Sequence, residues 1–436
     1  MNVCVIGTGY VGLVTGACFA EFGVKVVCAD KDESKIESLE RGEIPIYEPG
    51  LEALVERNVA QGRLSFTTDT AEAIRQALVL FIAVQTPPRE DGSTDLAAVE
   101  SVAREIGREM DGYKLIVTKS TVPVGTSYRV AEFVREELES AGKDVHFGIA
   151  SNPEFLREGA AIHDFQRPDR VVLGADDDAA LGILKDLYRP LFLNETPFVI
   201  TNVPTAELTK YAANAFLATK ISFINEFANL CEKLGGNVQE LARGIGLDGR
   251  IGRKFLHAGP GFGGSCFPKD TRSAAHFARR EGEALEVVEA VIRVNERQRE
   301  RMVDKVEGAV GGDVQGKTVA VLGLSFKPET DDMRDAPAVD IIRGLQARGA
   351  TVRAFDPVAM TNASPLLPDV NLCKDSYEAC ENADVTVLVT EWNQFRMLDL
   401  ARLQRVVREP VLVDLRNVYE PGPVEEAGFR YVSVGR

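Results

Sequence analysis

The sequence has few of the residues that build metal centres and disulfide frameworks. Only 4 histidines occur among 436 residues, and they are scattered at His146, His163, His257 and His276. That scatter argues against a histidine-based metal site. The 7 cysteines are odd in number and include no Cys-x-x-Cys pair. We therefore expect no bound metal, no disulfide framework and a reducing, cytoplasmic location.

Long apolar runs and excess positive charge are also missing. No stretch of about 18 uncharged apolar residues occurs, so nothing predicts a membrane span. The amino terminus enters an apolar stretch without the basic segment of a signal peptide. Lys and Arg number 50 against 66 Asp and Glu, a formal net charge of −16. This balance disfavours nucleic acid as a partner, and an anionic substrate would need a local basic cluster.

What the sequence does contain is two series of apolar, β-branched runs separated by helical patterns. The predicted strands are 2–7, 24–30, 77–84, 114–120 and 146–153 in the first series, and 318–324, 351–357, 384–390 and 410–416 in the second. Such alternation predicts an α/β fold in which helices cover both faces of a parallel sheet.

A long helical segment separates the two series. Residues 204–236 begin with Pro-Thr, contain no internal glycine or proline and end at Gly-Gly, which are helix start and stop signals. A helix of about 30 residues extends about 45 Å and suits both a spine between lobes and a subunit interface. We predict three domains, at residues 1–200, 201–300 and 301–436.

A glycine turn follows the first predicted strand. Gly7, Gly9 and Gly12 form G-x-G-x-x-G, and Asp30 ends the next strand. Backbone N–H groups at a helix start can hold a pyrophosphate, and an acid at this distance takes ribose hydroxyls and repels a 2′-phosphate. The pattern favours NAD over NADP; the alternative is a tight turn without a dinucleotide. Lys35 lies near the ribose or is a solvated helix lysine.

The stretch GFGGSCFPKD, residues 261–270, places a cysteine in an unusual setting. Cys266 follows glycines and precedes Lys269 and Asp270, whereas a core cysteine sits among large apolar side chains. Glycines let a ligand or another backbone come close, and nearby positive charge favours a reactive thiolate. Cys266 is therefore a candidate nucleophile; a buried, inert cysteine is the alternative.

Six motifs together resemble the UDP-glucose/GDP-mannose dehydrogenase family, in the order in which that family carries them. They are GTGYVG (7–12), KSTVPVGT (119–126), SNPEFLREG (151–159), DGRIGRKFLHAGP (248–260), GFGGSCFPKD (261–270) and GLSFKPETDDMRDAP (323–337). The resemblance spans essentially the whole chain and is strongest to the members that oxidise UDP-glucose.

The resemblance implies an architecture and a reaction. Two Rossmann-like domains are joined by a long helix, with NAD bound to the first and the nucleotide sugar to the second, in a homodimer. The reaction is a four-electron oxidation of the sugar C6 alcohol to a carboxylate, with two NAD reduced. UDP-glucose is the expected substrate; GDP-mannose or a UDP-N-acetylhexosamine is the alternative. More distant alternatives are a two-electron hydroxyacid dehydrogenase and an NAD-responsive binding protein.

The resemblance also implies catalytic roles. Cys266 would add to the intermediate aldehyde as a thiohemiacetal and then carry a thioester, with Asp270 managing water or protons; helix capping is the alternative for Asp270. Lys210 and Asn214 lie four apart on the predicted helix, hence on one face, where an ammonium and an amide can stabilise an oxyanion at C6. A surface pair is the alternative.

Two further motifs supply the remaining catalytic candidates. Glu154 and Glu158 lie in a predicted loop, where one carboxylate acts as the base for thioester hydrolysis or orders the water. Thr121 follows a strand, where α/β sheets place ligand groups, and would hold a water or contact NAD. Solvated loop charges and a turn threonine are the alternatives.

Binding residues follow from the same resemblance. The predicted NAD-binding residues are Gly7, Gly9, Tyr10, Val11, Gly12, Asp30, Lys35, Thr86, Thr121, Glu158 and Arg334. The predicted substrate-binding residues are Phe155, Leu156, Lys210, Asn214, Arg250, Phe255, Leu256, Phe262, Gly263, Lys327 and Arg416. The alternatives are surface salt bridges for Arg250, Lys327 and Arg416, and core packing for Phe255, Leu256 and Phe262.

Three details of the motifs bear on the site. Arg250 is expected to reach the neighbouring subunit's site, which would make a dimer necessary. Gln85 stands where the family pattern has glycine, and His257 stands where it often has lysine. The first change narrows the approach to the cofactor, and the second removes a phosphate contact.

Overall fold

The computed structural model describes residues 1–436 and divides into two compact units, Met1–Ala213 and Asn214–Arg436. Each unit contains one open sheet, of eight strands in the first and six in the second. The predicted α/β class with two Rossmann-like sheets is confirmed. No helix combines the length and apolarity needed to cross a bilayer.

The first unit is built on a doubly wound sheet. Its strands are β1 Asn2–Ile6, β2 Lys25–Ala29, β3 Leu64–Thr67, β4 Val79–Ile82, β5 Lys114–Thr118, β6 Phe147–Ser151, β7 Val171–Ala175 and β8 Phe198–Thr201. They lie in the order β3-β2-β1-β4-β5-β6-β7-β8. All neighbours are parallel except β6 and β7, which are antiparallel. The order reverses between β1 and β4, the place where such sheets bind ligands.

Helices cover both faces of this sheet. They are α1 Tyr10–Glu21, α2 Glu33–Glu40, α3 Leu51–Ala60, α4 Thr70–Gln76, α5 Ala97–Glu109, α6 Thr126–Ser140, α7 Ala161–Gln166 and α8 Asp178–Leu187, with a 3₁₀ turn at Arg189–Asn194. Two apolar clusters form the core, one on each face. Helix α1 is small-residue rich and buried because its Gly16 packs against Cys28 of β2, where a Cβ would overlap the sulfur.

The long helix α9, Val203–Leu234, lies within two residues of its predicted bounds. From Phe216 to its end, the helix exposes a stripe of large apolar side chains, of which Phe216 is 63% and Leu234 75% exposed. We call this set the α9 stripe; its members are Phe216, Phe223, Phe227, Leu230 and Leu234. The spacing of three, four and seven residues places them along one side of the helix.

The second unit repeats the parallel α/β plan. Its strands are β9 Thr318–Leu322, β10 Thr351–Phe355, β11 Asn371–Leu372, β12 Val385–Leu388, β13 Val411–Asp414 and β14 Arg430–Ser433, in the order β11-β10-β9-β12-β13-β14. Its helices are α10 Val238–Gly246, α11 Phe267–Arg280, α12 Glu286–Ala309, α13 Pro337–Ala347, α14 Met360–Ala363, α15 Ser376–Cys380, α16 Asn393–Arg396, α17 Leu400–Val406 and α18 Pro421–Glu426. The order reverses between β9 and β12.

A single buried carboxylate organises the loops at this second reversal. Asp356 follows β10 and is fully buried. It accepts six hydrogen bonds of 2.7–3.2 Å, from the N–H groups of Leu324, Ser325, Val358 and Ala359, the Ser325 hydroxyl and the Trp392 indole N–H. Because every donor is backbone or buried, the carboxylate fixes the turn after β9.

We predict that Asp356→Ala destabilises the second unit by about 3 kcal/mol, since it leaves several buried donors without an acceptor. The chain has 1 tryptophan, Trp392, so tryptophan fluorescence reports the unfolding of this unit in urea. Asp313→Ala is the control: Asp313 is an exposed carboxylate that accepts one backbone N–H bond, and we expect a change within about 0.5 kcal/mol. Equal midpoints for the two variants would contradict the assignment.

Candidate active site

The glycine turn has the shape that a dinucleotide requires. Gly7 has φ +105°, and a Cβ there would lie 2.6 Å from the Ala83 carbonyl oxygen. A Cβ at Gly12 would overlap the Gly7 carbonyl oxygen. Gly9, by contrast, has nothing within 4 Å of its Cβ position and immediately precedes α1. The outer glycines thus close the turn, and the middle one leaves room at the helix amino terminus for a ligand.

Asp30 lies beside this turn, at the end of β2. One carboxylate oxygen accepts bonds from the Thr8 N–H and hydroxyl, each 2.8 Å, and the other accepts from Asp32 N–H at 3.1 Å. Burial by itself would raise the pKa of Asp30. These donors and the Lys35 ammonium outweigh burial and hold the pKa below its usual value. The half-buried acid is therefore ionised and partly accessible. Lys35 itself lies 3.8 Å from Asp32 on α2.

Tyr10 and Val11 are the first residues of α1. The Tyr10 hydroxyl bonds to Glu48 and accepts a bond from Gly159 N–H. Glu48 is buried and also accepts from the N–H groups of Gly159 and Ala161, at 2.6 and 2.8 Å. The start of α1 is thus tied to the end of the SNPEFLREG loop. Sequence reasoning missed Glu48; its position before Pro-Gly in YEPG was the available signal.

Loops after β4 and β5 line the same edge of the sheet. The Thr86 hydroxyl donates to the Thr121 carbonyl oxygen at 3.0 Å, so the structure brings these two predicted residues together. Gln85 is exposed beside them. Its side chain therefore does not fill the protein interior, in keeping with a position at the edge of a ligand site.

A buried ion pair lies where the loop after β6 meets α9. Lys210 Nζ is 2.8 Å from Glu154 Oε1, and both side chains are almost fully buried. Glu154 Oε2 accepts from Leu156 N–H at 2.6 Å. Burial alone would raise the pKa of Glu154, but Lys210, the Leu156 N–H and the Lys119 ammonium hold it below its usual value. Glu154 is ionised and firmly fixed.

The rest of this loop is irregular, as predicted. Phe155 and Leu156 are half-buried, and the Phe155 ring packs 3.6 Å under the Arg170 guanidinium and 5.4 Å from Lys210 Nζ. Glu158 is half-buried and lies within electrostatic range of the Tyr10 hydroxyl. Glu154 is therefore part of the buried ion pair, whereas Glu158 lies nearer the glycine turn.

In the second unit, Cys266 differs from every other cysteine. The remaining six thiols are buried, and Cys266 is partly exposed. It occupies the N-cap position of α11, with Ser265 Oγ 3.5 Å from its sulfur. The helix begins at Phe267. The alternative role of Asp270 as a helix cap is therefore wrong: Asp270 lies in the first turn, and Cys266 takes the cap position.

The glycines before Cys266 are needed for close packing against a neighbouring segment. A Cβ at Gly263 would overlap the Asp335 carbonyl oxygen, and one at Gly264 would lie 2.7 Å from the Phe326 ring. Gly264 N–H also donates to the Arg334 carbonyl oxygen at 2.9 Å. The thiol loop therefore packs directly against the 324–335 segment. Its glycines allow another part of the chain to come close, which is one of the two possibilities that the sequence left open.

Asp270 is the second buried acid of the site. Its carboxylate accepts from Asn214 Nδ2 at 2.6 Å and lies 2.7 Å from Lys269 Nζ. The side chain is 1% exposed. Asn214 thus acts on Asp270, as Lys210 acts on Glu154, so each half of the predicted Lys-Asn pair holds a different carboxylate.

The predicted phosphate-binding cations lie on loops at the carboxyl edge of the second sheet. Lys327 follows β9, with Nζ 5.4 Å from the Phe326 ring. Arg416 follows β13 and donates to the carbonyl oxygens of Val389 and Phe326 at 2.8 and 3.1 Å. Since β9, β12 and β13 adjoin at the reversal of strand order, the two cations are brought to one edge.

Two other arginines pair with acids close in sequence. Arg250 is 90% exposed and 2.6 Å from Asp248. Arg334 forms two bonds of 2.8 Å to Asp332. The structure therefore gives both arginines an intraloop partner. Their predicted contacts with a neighbouring subunit and with NAD stay predictions.

The apolar candidates divide between core and surface. Leu256 is buried in the main core of the unit, and Phe262 packs with Ala218 and Val291 in a smaller cluster. Phe255 is half-buried with φ +64°, a conformation that a bulky residue adopts only where surroundings fix it. His257 is exposed. Core packing accounts for Leu256 and Phe262, and the strained backbone marks Phe255 as the better candidate for a ligand contact.

The fold and these sites together define a class of protein. A doubly wound sheet carries a glycine turn at its reversal point and an ionised acid at the end of the next strand. This combination is that of a dinucleotide-dependent oxidoreductase. The residues present fit the cofactor, because the space at Gly9 and the α1 amino terminus suit a pyrophosphate and Asp30 suits a ribose.

Comparison with known sequences and structures narrows the class. The chain belongs to the UDP-glucose/GDP-mannose dehydrogenase family, whose NAD binding domain matches residues 1–192, central domain 204–297 and UDP binding domain 320–421. It is 54% identical over 439 residues to a UDP-glucose 6-dehydrogenase of Rhizobium meliloti, covering 100% of both chains. A relative of the same name from Pseudomonas aeruginosa is 47% identical, covering 100% of this chain and 98% of the relative.

A solved structure gives the same result. The UDP-glucose dehydrogenase of Pyrobaculum islandicum has a TM-score of 0.92 and 42% identity, covering 100% of this chain and 97% of that one. The chain therefore shares both the sequence and the fold of the family along its whole length.

We predict that one thiol per chain reacts fast with a disulfide reagent such as DTNB in the native protein, because Cys266 alone is partly exposed. Denaturant should release all 7 thiols. Cys266→Ala should abolish the fast phase. The buried-thiol control Cys231→Ala should retain it. Two or more fast thiols, or a fast phase that survives Cys266→Ala, would contradict this reading of the site.

Proposed function

We propose that the protein is a UDP-glucose 6-dehydrogenase that oxidises C6 of UDP-glucose to the carboxylate of UDP-glucuronate, with two NAD reduced per sugar. The observation that carries the proposal is the partly exposed Cys266 at the start of α11, one helical turn from the buried Asp270. Full-length relatives of that name, 40–54% identical, support it.

The chemistry explains why a thiol is needed. NAD, when bound, accepts a hydride from C6 in each of the two oxidations. After the first, the aldehyde carbon lacks the C–O–H arrangement from which a second hydride can leave. The Cys266 thiolate adds to that carbon, and the resulting thiohemiacetal restores it. Loss of the second hydride leaves a thioester, and water then cleaves the C–S bond, releasing the carboxylate and the thiol.

The surroundings of Cys266 support this role. The N-cap position places the sulfur at the positive end of the α11 dipole, which favours the thiolate. Asp270, held by Asn214 and Lys269, is positioned in the first turn of the same helix to accept or return a proton. Because both of its oxygens are engaged at 2.6–2.7 Å, the carboxylate keeps one orientation.

The ion pair of the first unit supplies the complementary groups. Lys210 offers an ammonium to the oxygen that develops negative charge at C6. Glu154 orients Lys210 and is the base for the hydrolytic water, which Thr121 helps to hold. Glu158, near the glycine turn, is assigned to the cofactor side.

Cofactor choice follows from Asp30. Because its carboxylate is ionised and half-buried, it accepts ribose hydroxyls and repels a 2′-phosphate, which favours NAD over NADP. The other predicted NAD-binding and substrate-binding residues keep their assigned roles, apart from Leu256 and Phe262, whose burial is explained by core packing. The domain assignment is likewise a proposal, with NAD bound by residues 1–200, the helical domain and dimer interface at 201–300, and the UDP-sugar bound by 301–436. Seven free cysteines support a cytoplasmic location.

UDP-glucose is preferred over other nucleotide sugars. Solved structures named as UDP-N-acetylmannosamine and N-acetylgalactosaminuronic acid dehydrogenases are each 28% identical to the chain, against 42% for the UDP-glucose dehydrogenase. A GDP-mannose dehydrogenase structure is 31% identical with a TM-score of 0.55. Higher likeness to the UDP-glucose enzymes supports the first choice.

We expect the purified protein to form two NADH per UDP-glucose consumed, because C6 loses two hydrides on the way from alcohol to acid. NADH absorbance at completion, with limiting sugar, measures the ratio. Cys266→Ala should lower turnover by at least about a thousandfold, since the second oxidation needs the thiol. Cys231→Ala is the matched control and should retain activity.

A ratio of one NADH, or unchanged turnover in Cys266→Ala, would reject the thioester route. The same assay on GDP-mannose and UDP-N-acetylhexosamines tests the substrate. A higher kcat/KM on either of these sugars would make that sugar the assigned substrate in place of UDP-glucose. The proposed thioester route would be unaffected.

The α9 stripe supports the proposed homodimer. A row of exposed aromatic and leucine side chains on a monomer marks an interaction surface, and its heptad-like spacing suits packing against a second copy of the same helix.

We predict that the double variant Phe223→Glu/Phe227→Glu is monomeric, because two charges would be buried in the interface. Light scattering should give 47.5 kDa for the variant and twice that for the wild type. Glu226→Gln, on the same helix and outside the stripe, should remain dimeric. A wild-type monomer, or a dimeric double variant, would count against this interface.

A further inference from the structure

Lys119 is a buried charge to which the proposed mechanism assigns no task. It follows β5 directly, and its side chain is 4% exposed. The ammonium donates to Asn152 Oδ1 at 3.0 Å and to the Tyr188 hydroxyl at 3.3 Å, and it lies 5.7 Å from the Phe165 ring centroid. These partners are neutral. A buried ammonium without a counterion is strongly unfavourable, so its placement calls for a nearby acid.

The acid within electrostatic range of Lys119 is Glu154. Burial lowers the pKa of Lys119 to about 8; Glu154 opposes that shift and Lys210 adds to it. The other titratable groups around the ammonium are Cys18 on α1 and Tyr188, and burial raises the pKa of both far above neutrality. Glu154 and Lys210 are thus the groups whose charges act most on Lys119.

Two lysines therefore act on one carboxylate, Lys210 by direct contact at 2.8 Å and Lys119 at longer range. Lys210 alone, at 2.8 Å, would form a neutral pair with Glu154 and leave little positive field for a developing oxyanion. A second cation on the same carboxylate leaves the cluster with a net positive charge. It also favours the ionised form of Glu154 against the effect of burial.

Lys119 also fixes the backbone that carries Glu154. Asn152 lies two residues before Glu154, and its Oδ1 accepts from both Lys119 and the Tyr188 hydroxyl, the latter at 2.6 Å. Asn152 Nδ2 donates to the Val172 carbonyl oxygen on β7 at 2.9 Å. The loop after β6 is thereby held from both neighbouring strands at the point where it approaches the ion pair.

We propose that Lys119 is a positioning residue of the active site: through Asn152, its buried ammonium fixes the loop that presents Glu154 to Lys210, and its charge reinforces that ion pair. The inference rests on the proposed function for its catalytic meaning. The electrostatic link between Lys119 and Glu154 does not, and it can be measured without turnover.

The direct test is the titration of Glu154 in the ligand-free full-length protein. Difference infrared spectroscopy follows the carboxyl band that is lost in Glu154→Gln. In Lys119→Met, which removes the charge and keeps the length, we expect the midpoint to rise by about one pH unit. Tyr188→Phe removes a hydrogen bond to the same Asn152 oxygen but leaves the charge, so its midpoint should match the wild type.

The second readout is the pH dependence of NADH formation. The acidic limb of kcat should move upward in Lys119→Met by the same amount as the Glu154 midpoint, and stay in place in Tyr188→Phe. A merely structural role would lower kcat at every pH without moving the limb. If Lys119→Met does not fold, Lys119→Gln removes the same charge while keeping a donor to Asn152, and the same shift is expected.

An unshifted Glu154 midpoint in the folded lysine variants, or an equal shift in Tyr188→Phe, overturns the proposal. Failure of the proposed function looks different: the wild type would then form no NADH from UDP-glucose, while the infrared midpoints would still separate Lys119→Met from Tyr188→Phe.

Discussion

The ion pair between Glu154 and Lys210 is the constraint on which the first unit's site depends. Both groups are almost fully buried at 2.8 Å, and each comes from a different element, the loop after β6 and helix α9. Burying either charge alone costs several kcal/mol, so the loop and the helix hold each other in place. Lys119 and Asn152 extend the same constraint to β5 and β7, so the loop after β6 is held from both neighbouring strands.

The second unit applies the same principle to a different acid. Asp270 is buried between Asn214 and Lys269, one turn after Cys266. A carboxylate with both oxygens engaged keeps a single orientation, and the helix that carries it also carries the thiol. The sulfur and its acid are therefore positioned by one rigid element, so their separation does not depend on loop conformation.

The two sheets also show how one topology serves two purposes. In each sheet, an aspartate follows the second strand in chain order. Asp30 follows β2 in the first sheet, and Asp356 follows β10 in the second. Asp30 accepts three protein donors and stays half-exposed, which leaves it able to meet a ribose. Asp356 accepts six donors and is fully buried, so it fixes the neighbouring turn instead.

Much of this architecture was readable in the sequence. Apolar alternation predicts the parallel sheets because strand burial is a local property of residue pattern, and α9 falls within two residues of its predicted bounds because its start and stop signals are local too. The glycine turn with Asp30 and the setting of Cys266 pointed to a cofactor and a nucleophile. Tertiary structure alone decided which charges meet. Glu48 with Tyr10, Lys119 with Asn152, and Asn214 with Asp270 are separated by 38, 33 and 56 residues. Such pairs depend on how strands and helices are brought together. Burial then fixes these polar side chains in one arrangement, and the burial of a side chain cannot be read from its residue type alone.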